Sequence, residues 1–97
     1  MKVTWSEQAP VRLVEIREFV AQDSPTADQR LVASLVNRGD SLSRLSQRGR
    51  PVPGFEAQGL RELIDGNFRL VYRVKGGVVE ILTVFERHRL LPEEDLP

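Results

Sequence analysis

The sequence predicts an α+β domain in which an antiparallel two-helix hairpin packs on a mainly antiparallel four-stranded sheet, in the order β-α-α-β-β-β. Two observations carry this prediction. The segment 60–89 alternates apolar and polar residues and is interrupted by Asp65-Gly66 and Gly76-Gly77, dipeptides that suit tight hairpins. The segment 6–45 instead spaces its apolar residues three and four apart, as one face of a helix does.

Length and composition indicate one domain, residues 1–97, with a modest core, since 40% of the 97 residues are hydrophobic. The absence of cysteine excludes disulfides and thiolate metal sites, and we expect a cytoplasmic protein. No apolar run approaches the roughly 20 residues that a membrane span needs, so we expect no membrane partner.

The start of the chain is predicted to form a short strand followed by a helix. The strand runs from Lys2 to Trp5, and Val3 and Trp5 share one of its faces. Ser6 is the expected N-cap of the helix, which extends to about Gln22. The apolar stripe of this helix is Ala9, Leu13, Ile16 and Val20.

The second helix is predicted to start at Ser24-Pro25, where serine caps the helix and proline takes its first position. Its buried stripe is expected to be Ala27, Leu31, Leu35, Leu42 and Leu45, and Gly39 is expected to loosen or kink it. The segment 47–58 is interpreted as a connector to the sheet.

The strand 68–74 is predicted to bury one face, formed by Phe68, Leu70, Tyr72 and Val74, and to leave Arg69, Val71 and Arg73 on an open face. The last strand is largely apolar on both faces, so it should be a central strand or be covered on both sides. One face carries Val78, Glu80, Leu82 and Val84, and the other carries Val79, Ile81, Thr83 and Phe85. The acidic end, 90–97, is expected to be a short solvated tail, and the alternative is an intramolecular cover for the basic face.

The chemistry of the chain is concentrated in arginine. Net charge is +0, but residues 30–75 hold nine basic and four acidic residues, so basic groups gather in that part of the chain. The strongest constellation is Arg61, Arg69, Arg73, Arg87, His88 and Arg89. Such arginines can clamp a phosphate while a histidine moves a proton, a combination that suits RNA cleavage without a metal.

The alternative is that these arginines pair with Glu62, Glu80 and Glu86 in cis or with an acidic protein partner, and composition alone favours that interpretation. A lone histidine among scattered carboxylates does not make a metal site. No glycine-rich phosphate loop is present, so we expect neither a metal nor a cofactor.

The segments RELIDGNFRLVYRV and VEILTVFERHRLLP resemble the RelE/ParE superfamily of toxins from type II toxin–antitoxin systems. The opening V-x-W-S, the Asp-Ser-Pro between the helices and the GRPVPG loop follow in the same order, so the resemblance covers nearly the whole chain. It implies a cytoplasmic toxin that arrests growth, stabilises plasmids and forms a hetero-oligomer with a cognate antitoxin.

The resemblance leaves two targets open. RelE-like members cut messenger RNA on the ribosome, and on that reading Arg69, Arg73, Glu86 and His88 are catalytic. The two catalytic lysines of that branch, however, fall at Leu60 and Glu62. The ending Val-Phe-Glu-Arg-His-Arg looks more like ParE, whose members poison DNA gyrase, and this reading is favoured. The expected partner-binding or nucleic-acid-binding residues are Arg61, Arg69, Arg73, Arg87 and Arg89.

Overall fold

The computed structural model describes residues 1–23 and 27–97, so the predicted helix start at Ser24-Pro25 lies outside the described residues. The order of elements is strand, two helices and four strands: β1 (Lys2–Trp5), α1 (Gln8–Ala21), α2 (Ala27–Asp40), β2 (Arg50–Pro51), β3 (Arg61–Asp65), β4 (Phe68–Lys75) and β5 (Val78–Glu86). Short 3-10 turns occur at Ser41–Ser43, Glu56–Gln58 and Glu93–Asp95. No helix within these ranges is long and apolar enough to cross a membrane.

The strands form one sheet in the order β1-β5-β4-β3-β2. β1 lies parallel to β5, and the other neighbours are antiparallel, which confirms the predicted α+β class. The sheet has five strands rather than four, because Arg50 and Pro51 pair with Glu62 and Arg61 at the edge. A two-residue strand is too short to show a period-two pattern, so the sequence hid it inside the connector.

The main core lies between the helices and one side of the sheet. The predicted stripe of α1 is confirmed, with Ala9, Leu13 and Ile16 buried and Val20 packed beside them. In the second helix Leu35 is fully buried. Other core residues come from the turn after α2 and from the sheet: Leu42, Leu63, Phe68, Leu70, Tyr72, Val79, Ile81 and Val84.

Two predictions about α2 are wrong. Leu45 is exposed, because α2 ends at Asp40 and the following 3-10 turn changes the periodicity that had placed Leu45 on the stripe. Gly39 belongs to a helix packed closely on the sheet, where an added Cβ would lie 2.7 Å from both Ile81 Cδ1 and Trp5 Cζ2. The glycine therefore permits close approach.

Ser6 does not cap α1. Its Oγ donates to the carbonyl of Leu82 at 2.9 Å, and its backbone N donates to the carbonyl of Ile81 at 2.9 Å. Serine thus extends the pairing of β1 with β5 by one residue, and α1 begins after Glu7 without a side-chain cap. The hydroxyl finds its acceptor in the Leu82 carbonyl of the neighbouring strand β5, a contact that the local spacing of residues does not predict.

β5 lies inside the sheet between β1 and β4, as predicted for a central strand, and Val79 and residues 81–85 are buried while Glu80 is half-buried. Its strict alternation is wrong beyond Ile81, because a bulge leaves Leu82 as an extra residue between the pairs Tyr72–Ile81 and Val71–Thr83. Phe85 consequently points to the side of the sheet away from the helices, where it joins Leu82 in a second apolar cluster with Val71, Val52 and Leu60.

The acidic tail is anchored, contrary to the expectation of a solvated end. Asp95 is 8% exposed, and its carboxylate accepts from Arg12 Nε at 2.7 Å, Arg12 Nη2 at 3.1 Å and the Thr83 hydroxyl at 2.8 Å. Leu91 and Leu96 pack on the second cluster. The sheet side predicted to be open is therefore partly covered by the connector and the tail.

Candidate functional site: the arginine face of the sheet

The side of the sheet away from the helices carries Arg69 and Arg73, as the period of β4 predicts. We call this side, with Glu62, Glu80 and Phe85, the arginine face. The guanidinium of Arg69 lies 4.7 Å from the centroid of the Phe85 ring, its neighbour across the β4–β5 pair, which is cation–π geometry. Arg69 is enclosed, and 21% of its side chain is exposed.

Both terminal nitrogens of Arg69 already have protein acceptors. Nη1 donates to Glu62 Oε1 at 3.3 Å, and Nη2 donates to the carbonyl of Arg89 at 2.8 Å. The Nε is buried and has no partner among the described residues. Arg69 is thus held between a strand carboxylate, an aromatic ring and the turn after β5.

Glu62 is the acidic centre of the arginine face. Because Leu63 points into the main core, the alternation of β3 turns Glu62 to the opposite side, where its side chain is 0% exposed. Its Oε2 accepts from Arg50 Nε at 2.7 Å while its Oε1 accepts from Arg69. Burial of a carboxylate requires such pairing, and here two arginines share the one carboxylate.

Arg73 is likewise paired within the sheet. It lies opposite Glu80 across the β4–β5 pair, and its Nε donates to Glu80 Oε1 at 2.9 Å. Pairing in cis, the alternative that composition favoured, therefore holds for Glu62 and Glu80. Glu86 differs, since its Oε2 accepts from the backbone N of His88 at 3.0 Å.

Arg61 is not part of the arginine face. It shares the helix side of β3 with Leu63, and its Nη1 donates to the carbonyl of Gly49 at 2.6 Å. Beside it the buried Tyr72 hydroxyl accepts from Gly49 N and donates to the Ser46 carbonyl, both at 2.8 Å. Burial raises the pKa of Tyr72, so this hydroxyl stays protonated and ties the connector to the sheet.

The turn after β5 presents the remaining predicted residues. Its backbone is fixed by Arg87 N donating to the Asn67 carbonyl at 2.7 Å and by Arg89 N donating to the Glu86 carbonyl at 3.1 Å. The side chains of Arg87, His88 and Arg89 are exposed, and within the described part of the chain none has a side-chain partner. We call these three residues the basic turn.

A groove that the sequence did not reveal lies between α1, the end of β5 and the tail, with a volume of about 780 Å³. Phe19 and Leu90, 62% and 93% exposed, stand at this groove. Its floor and walls include Ile16, Val84, Phe85 and Leu91. Two features of the sequence could have predicted this groove: Phe19 lies off the apolar stripe of α1, and Leu90 and Leu91 follow the last strand.

The site contains no grouping of three histidine or carboxylate ligands that could hold a metal, as far as residues 1–23 and 27–97 are concerned. What the arrangement offers is an arginine face paired with carboxylates, an exposed basic turn and, beside it, a groove with exposed apolar side chains. These features lie on a five-stranded sheet with one layer of helices.

That fold is the one of RelE/ParE superfamily toxins. Residues 3–91 match the family model described as the ParE toxin of the type II toxin–antitoxin system parDE. The chain therefore belongs to the ParE toxin family and is a toxin of a type II toxin–antitoxin system.

Relatives carry names from both branches of the superfamily. The chain is 33% identical to "Putative toxin Y4kP" of Sinorhizobium fredii over 94 residues, covering 95% of this chain and 94% of that one. It is 33% identical to "Toxin RelE2" of Caulobacter vibrioides over 90 residues, covering 92% and 98%.

Two solved structures share the fold. A chain of the chromosomal ParDE toxin–antitoxin system of P. aeruginosa superposes with a TM-score of 0.79 at 24% identity, covering 89% of this chain and 95% of the other. A chain of the RelBE2 toxin–antitoxin complex of Mycobacterium tuberculosis gives 0.65 at 28% identity, covering 89% and 96%.

Proposed function

We propose that this toxin inhibits DNA gyrase through protein contacts and is neutralised by a cognate antitoxin. The observation that carries the first part is the pairing of Glu62 with Arg69. A ribonuclease must present cationic groups to the charge that develops on phosphorus. Here Arg69, one of the residues that would be catalytic in a RelE-like ribonuclease, already binds a carboxylate, a carbonyl and an aromatic ring.

The two positions that match the catalytic lysines support the same conclusion. Leu60 is buried in the second apolar cluster, and Glu62 is buried between two arginines. An apolar side chain and an anion therefore occupy the places where RelE-like cleavage needs cations. Each missing electrostatic contact typically costs about 3 kcal/mol of transition-state stabilisation, so two such losses disfavour RNA cleavage strongly.

The antitoxin part of the proposal rests on the groove beside α1. The solved ParDE and RelBE2 relatives belong to toxin–antitoxin assemblies. In this chain Phe19 and Leu90 leave large apolar side chains at the rim of a cavity of about 780 Å³. An amphipathic antitoxin segment that inserts apolar side chains there would bury them, the usual mode of helix-in-groove recognition.

The test is a gyrase supercoiling and cleavage assay with the purified toxin, with and without antitoxin. We expect inhibited supercoiling and trapped cleaved plasmid, both relieved by antitoxin. The double variant Arg87→Gln/Arg89→Gln should inhibit less, because it removes exposed unpaired charges. Lys2→Gln/Lys75→Gln removes the same charge elsewhere and is the matched control. Unchanged supercoiling in cells that nonetheless stop growing would exclude gyrase as the target.

The alternative function is a ribosome-dependent messenger RNA endoribonuclease, and the basic turn is the observation that favours it. His88 is exposed beside two free arginines, and its backbone N binds Glu86, so an imidazole, cations and a carboxylate share one turn. Mapping of 5′ ends in a toxin-treated translation extract tests this function. Cuts that appear with the wild type and vanish with His88→Ala would establish it, whereas intact messages would eliminate it.

A further inference from the structure

A second group of arginines lies on the outer side of α2, on the opposite side of the sheet from Arg69. Arg30, Ser34 and Arg38 follow one another at four-residue spacing and so fall on nearly one helix face. Arg48 reaches the same place from the connector. Together with Asn37 and Ser41 these residues line a concave cavity of about 480 Å³, which we call the α2 pocket.

The cations of the α2 pocket are not neutralised. The Arg38 Nη2 donates to the Ile64 carbonyl at 3.3 Å, and the Arg48 Nη1 donates to Ser41 Oγ at 3.2 Å, so both guanidinium groups are oriented by neutral acceptors. Among the residues whose side chains the structure describes, 1–23 and 29–97, no carboxylate forms an ion pair with Arg30, Arg38 or Arg48. The lining of the cavity within this part of the chain contains no acidic residue.

One carboxylate lies next to the pocket without lining it, since Ser34 donates to Asp65 Oδ2 at 2.7 Å at the end of β3. The Nε of Arg38 is buried and lacks a partner among the described residues. Three arginines therefore line one concavity together with hydroxyl and amide groups, and the described lining contains no carboxylate.

We propose that the α2 pocket binds the phosphate backbone of a nucleic-acid duplex. Arginine forks and asparagine amides are donors that usually hold phosphate oxygens, whereas the serine hydroxyls of the pocket already donate to Asp65 and to the Arg38 carbonyl. Ala33 is the one apolar residue in the described lining, so a protein partner would find no large apolar or aromatic side chain of the kind that forms an interface core. No aromatic side chain lines the pocket either, and single strands depend on such stacking.

This inference does not depend on gyrase as the target, because it concerns a direct contact between toxin and duplex. The measurement is fluorescence anisotropy of a labelled duplex DNA titrated with the full-length toxin at several salt concentrations. Arg30→Gln/Arg48→Gln removes two exposed arginines of the pocket, and Lys2→Gln/Lys75→Gln removes two exposed charges that do not belong to its lining. Thermal unfolding of each variant confirms that the fold is retained.

We expect the pocket double variant to weaken duplex binding by about ten-fold and to reduce the slope of log affinity against log salt by about 2, the value for two lost phosphate contacts. The control variant should stay within about two-fold, because its charges contact no phosphate. Equal losses in both variants would show a diffuse charge effect and overturn the proposal.

Three competitor ligands separate the sources of anionic chemistry. Inorganic phosphate alone, single-stranded DNA of the same sequence and a polyglutamate peptide are each added to the toxin–duplex complex. Weak competition by all three supports duplex recognition. Competition by the single strand or by polyglutamate at concentrations equal to that of the duplex would contradict it. So would complete displacement of the duplex by millimolar phosphate.

Discussion

Arginine serves two different roles on the two sides of this molecule. On the arginine face Arg69 and Arg73 pair with Glu62 and Glu80 at 3.3 and 2.9 Å, and their positions are fixed by strand register. In the α2 pocket Arg38 and Arg48 meet only neutral oxygens. The arginines of the arginine face, the strongest candidate site in the sequence, form ion pairs with carboxylates of the same sheet. The arginines of the α2 pocket hydrogen-bond to neutral groups instead.

The difference follows from secondary structure. Cross-strand neighbours lie about 5 Å apart, so a strand arginine meets whatever acid the register places opposite it. On α2 the residues one turn from Arg38 are Ser34 and Ser41, and these offer hydroxyls instead of carboxylates. The arginines that form no ion pair with a described carboxylate therefore lie in the α2 pocket and at the basic turn.

The largest expected effect is at Glu62. Glu62→Ala should lower the free energy of unfolding by about 3 kcal/mol, because it leaves the enclosed Arg69 without its carboxylate. Urea unfolding followed by the fluorescence of Trp5, the single tryptophan, measures it. A loss below about 1 kcal/mol would fall in the range of exposed ion pairs and would mean that the pair of Glu62 with Arg69 is no stronger than those.

The second effect concerns Asp95, a buried carboxylate on the tail. The hydrogen bond from Arg12 holds the pKa of Asp95 below its usual range, with a further contribution from Thr83. Asp95→Asn should therefore cost about 2 kcal/mol at neutral pH, where the carboxylate is charged in both folded and unfolded chains.

The pH dependence provides the check on this prediction. A depressed folded pKa contributes stability that is complete above the unfolded value of about 4 and is lost as pH falls through the folded value. Urea midpoints of wild type and Asp95→Asn should thus differ most above about pH 5 and converge in acid. A constant difference down to pH 2 would show that the carboxylate charge is not what anchors the tail.

A smaller effect is expected for Glu80, whose pair with Arg73 is partly open to solvent, with side chains 36% and 23% exposed. Glu80→Ala should cost about 0.5 kcal/mol, several-fold less than Glu62→Ala, because water screens the ion pair and solvates the arginine left behind. Double-mutant cycles with Arg73→Ala, again by urea unfolding, isolate the pair. A coupling energy as large as that of Glu62 with Arg69 would remove the distinction between the two pairs.

The sequence predicted regular elements well wherever a period was long enough to see. Eight residues of β4 and fourteen of α1 gave clear alternation and a clear stripe. It failed where tertiary contact decides. The two-residue β2, the bulge at Leu82 and the hydroxyl of Ser6 each respond to a neighbour that is distant in the sequence.

The candidate site shows the same limit. Alternation placed Arg69 and Arg73 on one face, but it could not show that Arg61 faces the helices or that Arg12 anchors the tail through Asp95. Charge partners across 83 residues of sequence leave no local pattern. The apolar groove at Phe19 was missed because its walls come from α1, β5 and the tail.

The smallest expected effect is the sharpest test of the comparison. Arg30→Gln/Arg48→Gln should change the free energy of unfolding by no more than about 0.5 kcal/mol, because neither side chain is buried or paired with an acid. The same double variant is expected to bind duplex DNA about ten-fold more weakly, so binding changes at this site while stability does not, whereas Glu62→Ala changes stability. If urea unfolding shows a loss comparable to that of Glu62→Ala, the α2 arginines stabilise the fold and are not free for a ligand.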